Sequence, residues 1–262
     1  MAIHIVPIGL DSPERFVEGF RKFPPSKVIL LTGTMQNDIE KEVKNIKSEV
    51  IKGIGKHVQV EEESANLLDF ANCIKILAKI ISREREDTEG EMIYINISSS
   101  TKIMTQASYM AASLFSARIY YVPVVSYLSL ELIPLLNNHT DDSSQKIIND
   151  LLQNKRYLST GVKEPIEIPV LKMEPPDKDE LDVLKAISSA KKEKYNSLKS
   201  LVEDGLHIEY TGSNRNKYSQ VIKKLETHGF VSTNRSGREK GIKLTGSGDV
   251  IAKISCILEN RK

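Results

Sequence analysis

Apolar and polar positions follow two different patterns along the chain. Over the first half, short continuous apolar runs alternate with longer stretches whose apolar residues recur at helical spacing. Residues 3–8 read as a strand ending at Gly9, residues 13–23 as a short helix, and 27–32 as a strand ending at Gly33. Residues 38–51 read as a helix and 58–61 as a short strand. A long helix is expected over 64–83, with Leu67, Leu68, Ala71, Ile74, Leu77, Ala78 and Ile81 inward, and the acidic run over 83–91 reads as a solvated turn. Then come a strand over 93–97 and a helix with Ile103, Met104, Ala107, Met110, Ala111, Leu114 and Phe115 on one face. Strands over 119–123 and 130–135 complete the series. Nearly continuous apolar strands alternating with helices predict an α/β domain, a mostly parallel sheet covered on both faces.

Ligands of such sheets sit beyond the carboxyl ends of the strands. Here those ends are Gly9-Leu10-Asp11-Ser12, Gly33-Thr34, and the run Asn96-Ile97-Ser98-Ser99-Ser100-Thr101-Lys102, three turns expected to converge. The last is the most informative. A strand that stops at a helix N-terminus exposes unpaired N–H groups and the positive end of the helix dipole. Small hydroxyl residues and one ammonium placed there suit a phosphate. The same residues also suit an ordinary helix cap by Ser99, Ser100 or Thr101.

The last third reads differently. After a polar break over 137–144, a helix with Ile147, Ile148, Leu151 and Leu152 in a stripe is expected over 144–158. Pro165, Pro169, Pro175 and Pro176 then mark a linker in the later half of 162–177. Helices follow over 180–188, 197–203 and about 213–228, the third with Tyr218, Val221, Ile222 and Leu225 at i, i+3, i+4, i+7. Its other face carries Ser213, Asn214, Arg215, Asn216, Lys217, Ser219, Gln220, Lys223 and Lys224. Strands over 230–233 and 242–245 flank a basic hairpin tip with Arg235, Arg238 and Lys240. A closing helix spans 249–258. Three helices and a basic hairpin predict an α+β winged helix-turn-helix, whose third helix reads base edges in the DNA major groove while the wing reaches phosphates. The connection over 205–212 is longer than the usual three-to-four-residue turn. The expected division is a ligand-sensing domain over 1–136, a connecting helix and proline-containing linker over 137–176, and a DNA-binding domain over 177–262.

Charge sharpens this division. Residues 1–176 carry 20 basic against 23 acidic side chains, a net −3, and residues 177–262 carry 17 against 12, a net +5. A basic module on a mildly acidic body suggests a polyanion-facing piece joined to a body with another task. The 40% apolar and 27% charged content is that of a globular protein, and no apolar run approaches the roughly 20 residues of a membrane span. Cys73 and Cys256 lack any CxxC spacing and read as reduced core thiols, which fits a cytoplasmic protein.

Other signals carry less. Gly246-Ser247-Gly248 follows a wing strand and reads as a helix start rather than a dinucleotide fingerprint. There is no Walker A loop. The five histidines show no metal-ligand spacing, His4 reads as a satisfied core or rim histidine, and Glu61-Glu62-Glu63 reads as a solvated strand end. No catalytic residue, metal site or bound cofactor is expected.

Asn96, Ser98, Thr101 and Lys102 fall on the pattern Asn-x-Ser/Thr-Gly-Gly-Thr-Lys, with Ser99 and Ser100 in place of the glycines. With the winged helix behind it, the chain resembles the CARF-domain (CRISPR-associated Rossmann fold) transcription regulators of archaea. The serines keep the backbone donors and add bulk where a ligand approaches. The resemblance implies a Rossmann-like first domain and a homodimer that binds a cyclic oligoadenylate, most often the four-membered ring, across its two-fold axis. Thr101 and Lys102 would then contact phosphate, Ser98, Ser99 and Ser100 would donate hydrogen bonds, and Gly9 to Ser12 with Gly33 and Thr34 would line the pocket. Ligand binding would shift the separation of the two DNA-reading helices relative to the ~34 Å half-site repeat. Two other readings stand beside it. One is a metal-independent ring nuclease, as some CARF proteins are, with Lys102 and a serine stabilising the transition state. The other is a regulator that senses another nucleotide or a sugar phosphate.

Overall fold

The computed structural model describes residues 1–33, 37–88, 90–137, 146, 149, 157–190, 194–236 and 239–260, and the helix expected over 144–158 falls largely outside them. The chain divides into two compact units, Met1–Met173 and Glu174–Lys262.

In the first unit, β1 (Ala2–Pro7), β2 (Pro25–Gly33), β3 (Gln59–Ala65), β4 (Met92–Asn96), β5 (Arg118–Tyr121) and β8 (Ile166–Ile168) form one sheet in the order β3-β2-β1-β4-β5-β8. The first five are parallel, and β8 is antiparallel to β5. The connecting helices are α1 (Pro13–Lys22), α2 (Asn37–Gly53), α3 (Phe70–Asp87) and α4 (Lys102–Phe115). Val6, Val28 and Leu30 pack with Phe16 and Phe20 of α1 and Val43, Ile46 and Val50 of α2. Because strand order reverses at β1, right-handed crossovers put α3 and α4 on the opposite face. That is why Ile3, Ile5, Ile29 and Ile95, next in the alternation, are also buried. The reversal falls between β1 and β4, and doubly wound sheets take their ligands beyond the carboxyl ends of the strands at such a switch point.

Several expectations need correction. Residues 130–135 are not a strand but lie in α5 (Leu128–Asn137), a short apolar run being ambiguous between the two periods. An antiparallel ribbon of β6 (Val124–Tyr127) and β7 (Ser159–Val162) was not expected at all. The strand expected over 58–61 continues to Ala65, so α3 starts at Phe70, with Asp69 accepting from the Asn72 N–H as its cap, and Leu68 is exposed. Nor is 83–91 a solvated turn. Helix α3 runs to Asp87, Glu84 is fully buried, and Lys27 (2.9 Å) and Arg83 (2.9 Å) pair with it. Arg83 and Lys27 also hold Glu61, and Arg83 holds Glu63, so two of the three carboxylates of that strand belong to a charge network rather than to free solvent. His4 is buried, bonded to the Tyr120 hydroxyl and the Phe23 carbonyl oxygen, and burial lowers its pKa to about 4.

The second unit runs α6 (Lys178–Ser189), β9 (Lys194–Tyr195), α7 (Leu198–Ser200), a π-helical turn (Leu201–Gly205), α8 (Gly212–Thr227), β10 (Val231–Ser236), β11 (Glu239–Leu244) and α9 (Gly246–Glu259). The strands form a sheet in the order β10-β11-β9. The unusual length of the 205–212 connection follows from the π-turn. The Leu206 N–H reaches back to Leu201 and that of Ile208 to Val202 before Thr211 caps α8. Helix α9 starts at Gly246, with Thr245 as its cap. Cys73 is buried, whereas Cys256 is exposed on α9 and is not a core thiol. Among the described residues, no helix is long and apolar enough to cross a membrane.

Candidate functional site

The β1 and β4 turns meet closely. A side-chain carbon at Gly9 would stand 2.0 Å from the Ser99 carbonyl oxygen, so only glycine lets the two backbones approach this far. Below that contact the turn is clamped from inside. Asn96, buried at the end of β4, accepts from the Ser98 N–H (2.9 Å) and hydroxyl (2.5 Å) and donates to the Arg15 and Phe16 carbonyls at 3.4 Å. Ser98 in turn accepts from the Val122 N–H at 2.8 Å. Asn96 and Ser98 therefore shape the turn from within the core.

Thr101 is the N-cap of α4. Its hydroxyl accepts from the Met104 N–H (3.1 Å) and donates to the Leu67 carbonyl (3.0 Å), which ties in the turn after β3. Leu67 is also what a side chain at Gly33 would meet, at 3.3 Å, so the end of β2 lies beside the same turn. Thr34 lies outside the described residues. The Ser100 hydroxyl bonds Thr105 Oγ1 (3.0 Å) and lies 3.4 Å from the Ile97 carbonyl. Leu10 is 37% exposed. Lys102 opens α4, is exposed, and makes no ion pair with any described residue. An unneutralised ammonium at the positive end of a fourteen-residue helix attracts an anion.

Asp11 is the surprise of this corner. Its place in the turn after β1 suits a pocket-lining residue, but it is 7% exposed and collects four donors. They are the Ser12 N–H (2.9 Å), the Arg15 guanidinium (2.5 Å), the Ser99 hydroxyl (2.5 Å) and the hydroxyl of Ser159 on β7. Burial alone pushes this carboxyl up. The bonds from Ser159, Ser99 and the Ser12 N–H, with the Arg15 charge, outweigh it and hold Asp11 below the usual carboxylate range. Ser12 is likewise buried. Arg15 also donates to the Val122 carbonyl (2.9 Å) and lies over the Tyr121 ring at 5.0 Å. The Asp11/Arg15 spacing of four on a helix start was a readable signal, whereas Ser159, 148 residues away, offered none.

In the second unit, α8 presents two polar sides. Lys217 pairs with Asp179 (2.7 Å), and Lys224 pairs with Asp177 (3.0 Å) and Glu180 (3.1 Å) at the start of α6. Those two lysines, expected to face DNA, are committed to an acidic helix start, where Asp177 and Glu180 form a reciprocal cap. Glu180 is 1% exposed. Asn214 is occupied too, donating to the Glu209 carbonyl at 2.8 Å. Ser213, Arg215, Asn216, Ser219, Gln220 and Lys223 are exposed, and neither Arg215 nor Lys223 has an ion-pair partner among the described residues. Tyr218, Ile222 and Leu225 are buried and Val221 is half-buried. Arg235 and Lys240 are register partners near the hairpin tip, and Arg238 lies outside the described residues. Among the described residues, no cluster of His, Cys, Asp and Glu fits a metal ion.

A family model described as "HFX_2341_N:-like, N-terminal" matches residues 2–127. No curated protein matches the chain. Solved structures do. Csm6 of Enterococcus italicus, bound to cyclic hexa-2'-fluoro-hexa-dAMP, is 16% identical with a TM-score of 0.42, over 87% of this chain and 55% of that one. Can2 from Sulfobacillus thermosulfidooxidans, in complex with cyclic tetra-adenylate, is 13% identical with a TM-score of 0.37, over 97% of this chain and 63% of that one. Protein VC1899 from Vibrio cholerae is 11% identical with a TM-score of 0.31, over 96% and 64%. The chain thus spans less than two thirds of the length of each of these three.

Proposed function

We propose that the first unit binds a cyclic oligoadenylate, taken as cyclic tetra-adenylate, across the two-fold axis of a homodimer. We propose further that the second unit is a winged helix-turn-helix that binds double-stranded DNA, making the chain a ligand-responsive transcription regulator. The observation that carries the ligand reading is Lys102, an exposed ammonium without a described counter-charge, at the start of α4 after the β4 turn, where strand order reverses. The ring itself is what the Asn96–Lys102 resemblance implies. One corner supplies one ammonium and one helix end, so a two-fold-symmetric ring of four phosphodiesters suits two copies.

Binding without cleavage fits the corner better than ring hydrolysis. Asp11, the carboxylate that touches this turn, is saturated by four donors, and the bonds from Ser159, Ser99 and the Ser12 N–H with the Arg15 charge hold it ionised, which makes it a poor proton acceptor. For DNA, the support is the order α6-β9-α7-α8-β10-β11 and the exposed polar face of α8 around Arg215, Asn216, Ser219, Gln220 and Lys223, whose two cations have no ion-pair partner among the described residues.

Two experiments test the reading. Incubation with radiolabelled cyclic tetra-adenylate should retain the intact ring. Linear fragments would mark an enzyme, and no retention would remove the ligand from the account. Binding to duplex DNA, measured across a salt series, should lose about two units of logarithmic slope when Arg215→Ala and Lys223→Ala are combined. Lys217→Ala with Lys224→Ala should lower the melting temperature of the second unit more than it changes that slope. The reverse ranking would return the latter pair to the DNA-facing side.

A further inference from the structure

The hydroxyl groups of the β4–α4 turn are not free to serve an anion as donors. Thr101 donates to Leu67, Ser98 to Asn96, and Ser100 is engaged with Thr105. Ser99 differs from the others. Its proton goes to Asp11 Oδ2 at 2.5 Å, and an ionised carboxylate can only accept, so the direction of that bond is fixed. A hydroxyl oxygen has two lone pairs, and those of Ser99 accept nothing from any described residue. Ser99 is half-buried and packed over Gly9, two residues before the cap of α4. The corner therefore places a fixed hydrogen-bond acceptor beside an anion-attracting helix start and an ammonium with no ion-pair partner among the described residues.

We propose that Ser99, polarised by Asp11, is the specificity-determining residue that accepts a hydrogen bond from a sugar hydroxyl vicinal to the bound phosphate, so that the site selects ribonucleotides over deoxyribonucleotides. This rests on the reading of the first unit as a cyclic-oligonucleotide binder. The chemistry is complementary. A ring linked from 3′ to 5′ keeps its 2′-hydroxyl on the carbon next to the one bearing the phosphate, so donor and anion arrive together. A phosphate oxygen alone offers no proton to Ser99, and an acceptor facing an anion with no donor between them repels it. Asp11 has the positioning role: it contacts Ser99, not the ligand. Arg15 and Ser159 keep its carboxylate in place.

The test uses the full chain and two probes, cyclic tetra-adenylate and its all-2′-deoxy counterpart, with affinities measured by calorimetry or filter binding. The unaltered protein should prefer the ribose ring by about 100-fold, the worth of two hydrogen bonds to polarised hydroxyls, one at each copy of Ser99. Ser99→Ala should bring the two affinities within about twofold by weakening only the ribose ring, and Ser99→Thr, which restores the hydroxyl, should recover the preference. A preference that survives Ser99→Ala, or equal binding of both rings by the unaltered protein, overturns the role of Ser99 while leaving ring binding intact. Failure of the unaltered protein to bind either ring overturns the ring-binding reading and this inference with it.

Discussion

Replacing Asp11 with alanine is expected to destabilise the first unit by about 3–5 kcal/mol, the usual cost of stranding one member of a buried charge pair. Arg15, 4% exposed, would keep its bond to the Val122 carbonyl but lose its only described counter-charge. Ser99, Ser159 and the Ser12 N–H would lose an acceptor at the same time. A domain holds only about 5–15 kcal/mol in all, so this is a large fraction. Urea denaturation, followed by a probe in the first unit, should show the midpoint falling sharply. An unchanged midpoint would mean that the four hydrogen bonds contribute nothing net. The effect has a pH signature. A carboxyl held below its ordinary value adds stability that is present above the unfolded pKa, about 3.9 for aspartate, and lost as pH falls through the lower folded value. Asp11→Asn should therefore lose part of the acid limb of the stability profile, and its deficit should shrink toward pH 3.

Gly9→Ala should be the second large effect, at about 3 kcal/mol, the upper end for overpacking. The added carbon would meet the Ser99 carbonyl oxygen at 2.0 Å, and that obstacle is backbone, so no side chain can swing aside. Either the β1 turn or the β4 turn must move, and the corner they form would be remade. Loss of ring affinity should accompany the loss of stability. Gly212 supplies the contrast. It opens α8, and an added carbon there meets nothing within 4 Å, so Gly212→Ala should leave the melting temperature of the second unit unchanged or raise it. Equal effects at the two glycines would show that close approach at Gly9 is not what matters.

These two residues also mark what could be read from the amino-acid order. Strands β1, β2 and β4 were legible because both faces are buried, which leaves continuous apolar runs. The turns at Gly9, Gly33 and Ser98 follow directly from where those runs end. Strand β3 was cut short because Glu61, Glu62 and Glu63 look like solvent-facing residues. Lys27, Arg83 and Lys47, all distant in sequence, pair with them. The β6–β7 ribbon joins residues 32 to 38 positions apart with no alternation to announce it. Likewise the motif at 96–102 advertised a phosphate corner, but its spacing did not say which hydroxyls are spent internally. Asn96, Ser98 and Thr101 shape the turn, and Asp11 braces it, through partners no local pattern displays. On α8 the lysines looked equivalent. Only the acidic start of α6, some 40 residues earlier, separates Lys217 and Lys224 from Arg215 and Lys223.

The ammonium at the start of α4, without an ion-pair partner among the described residues, is what should hold the phosphate, and affinity for the ring tests this most directly. Dissociation constants for labelled cyclic tetra-adenylate should be compared between the unaltered protein and Lys102→Ala at matched salt, with melting temperatures recorded alongside. Lys102 is exposed and its side chain makes no ion pair or hydrogen bond with a described residue, so the variant should fold and melt as before, bind the ring about 10- to 100-fold more weakly, and lose much of the salt dependence. Equal affinity in the two proteins would contradict the claim that this corner holds the phosphate.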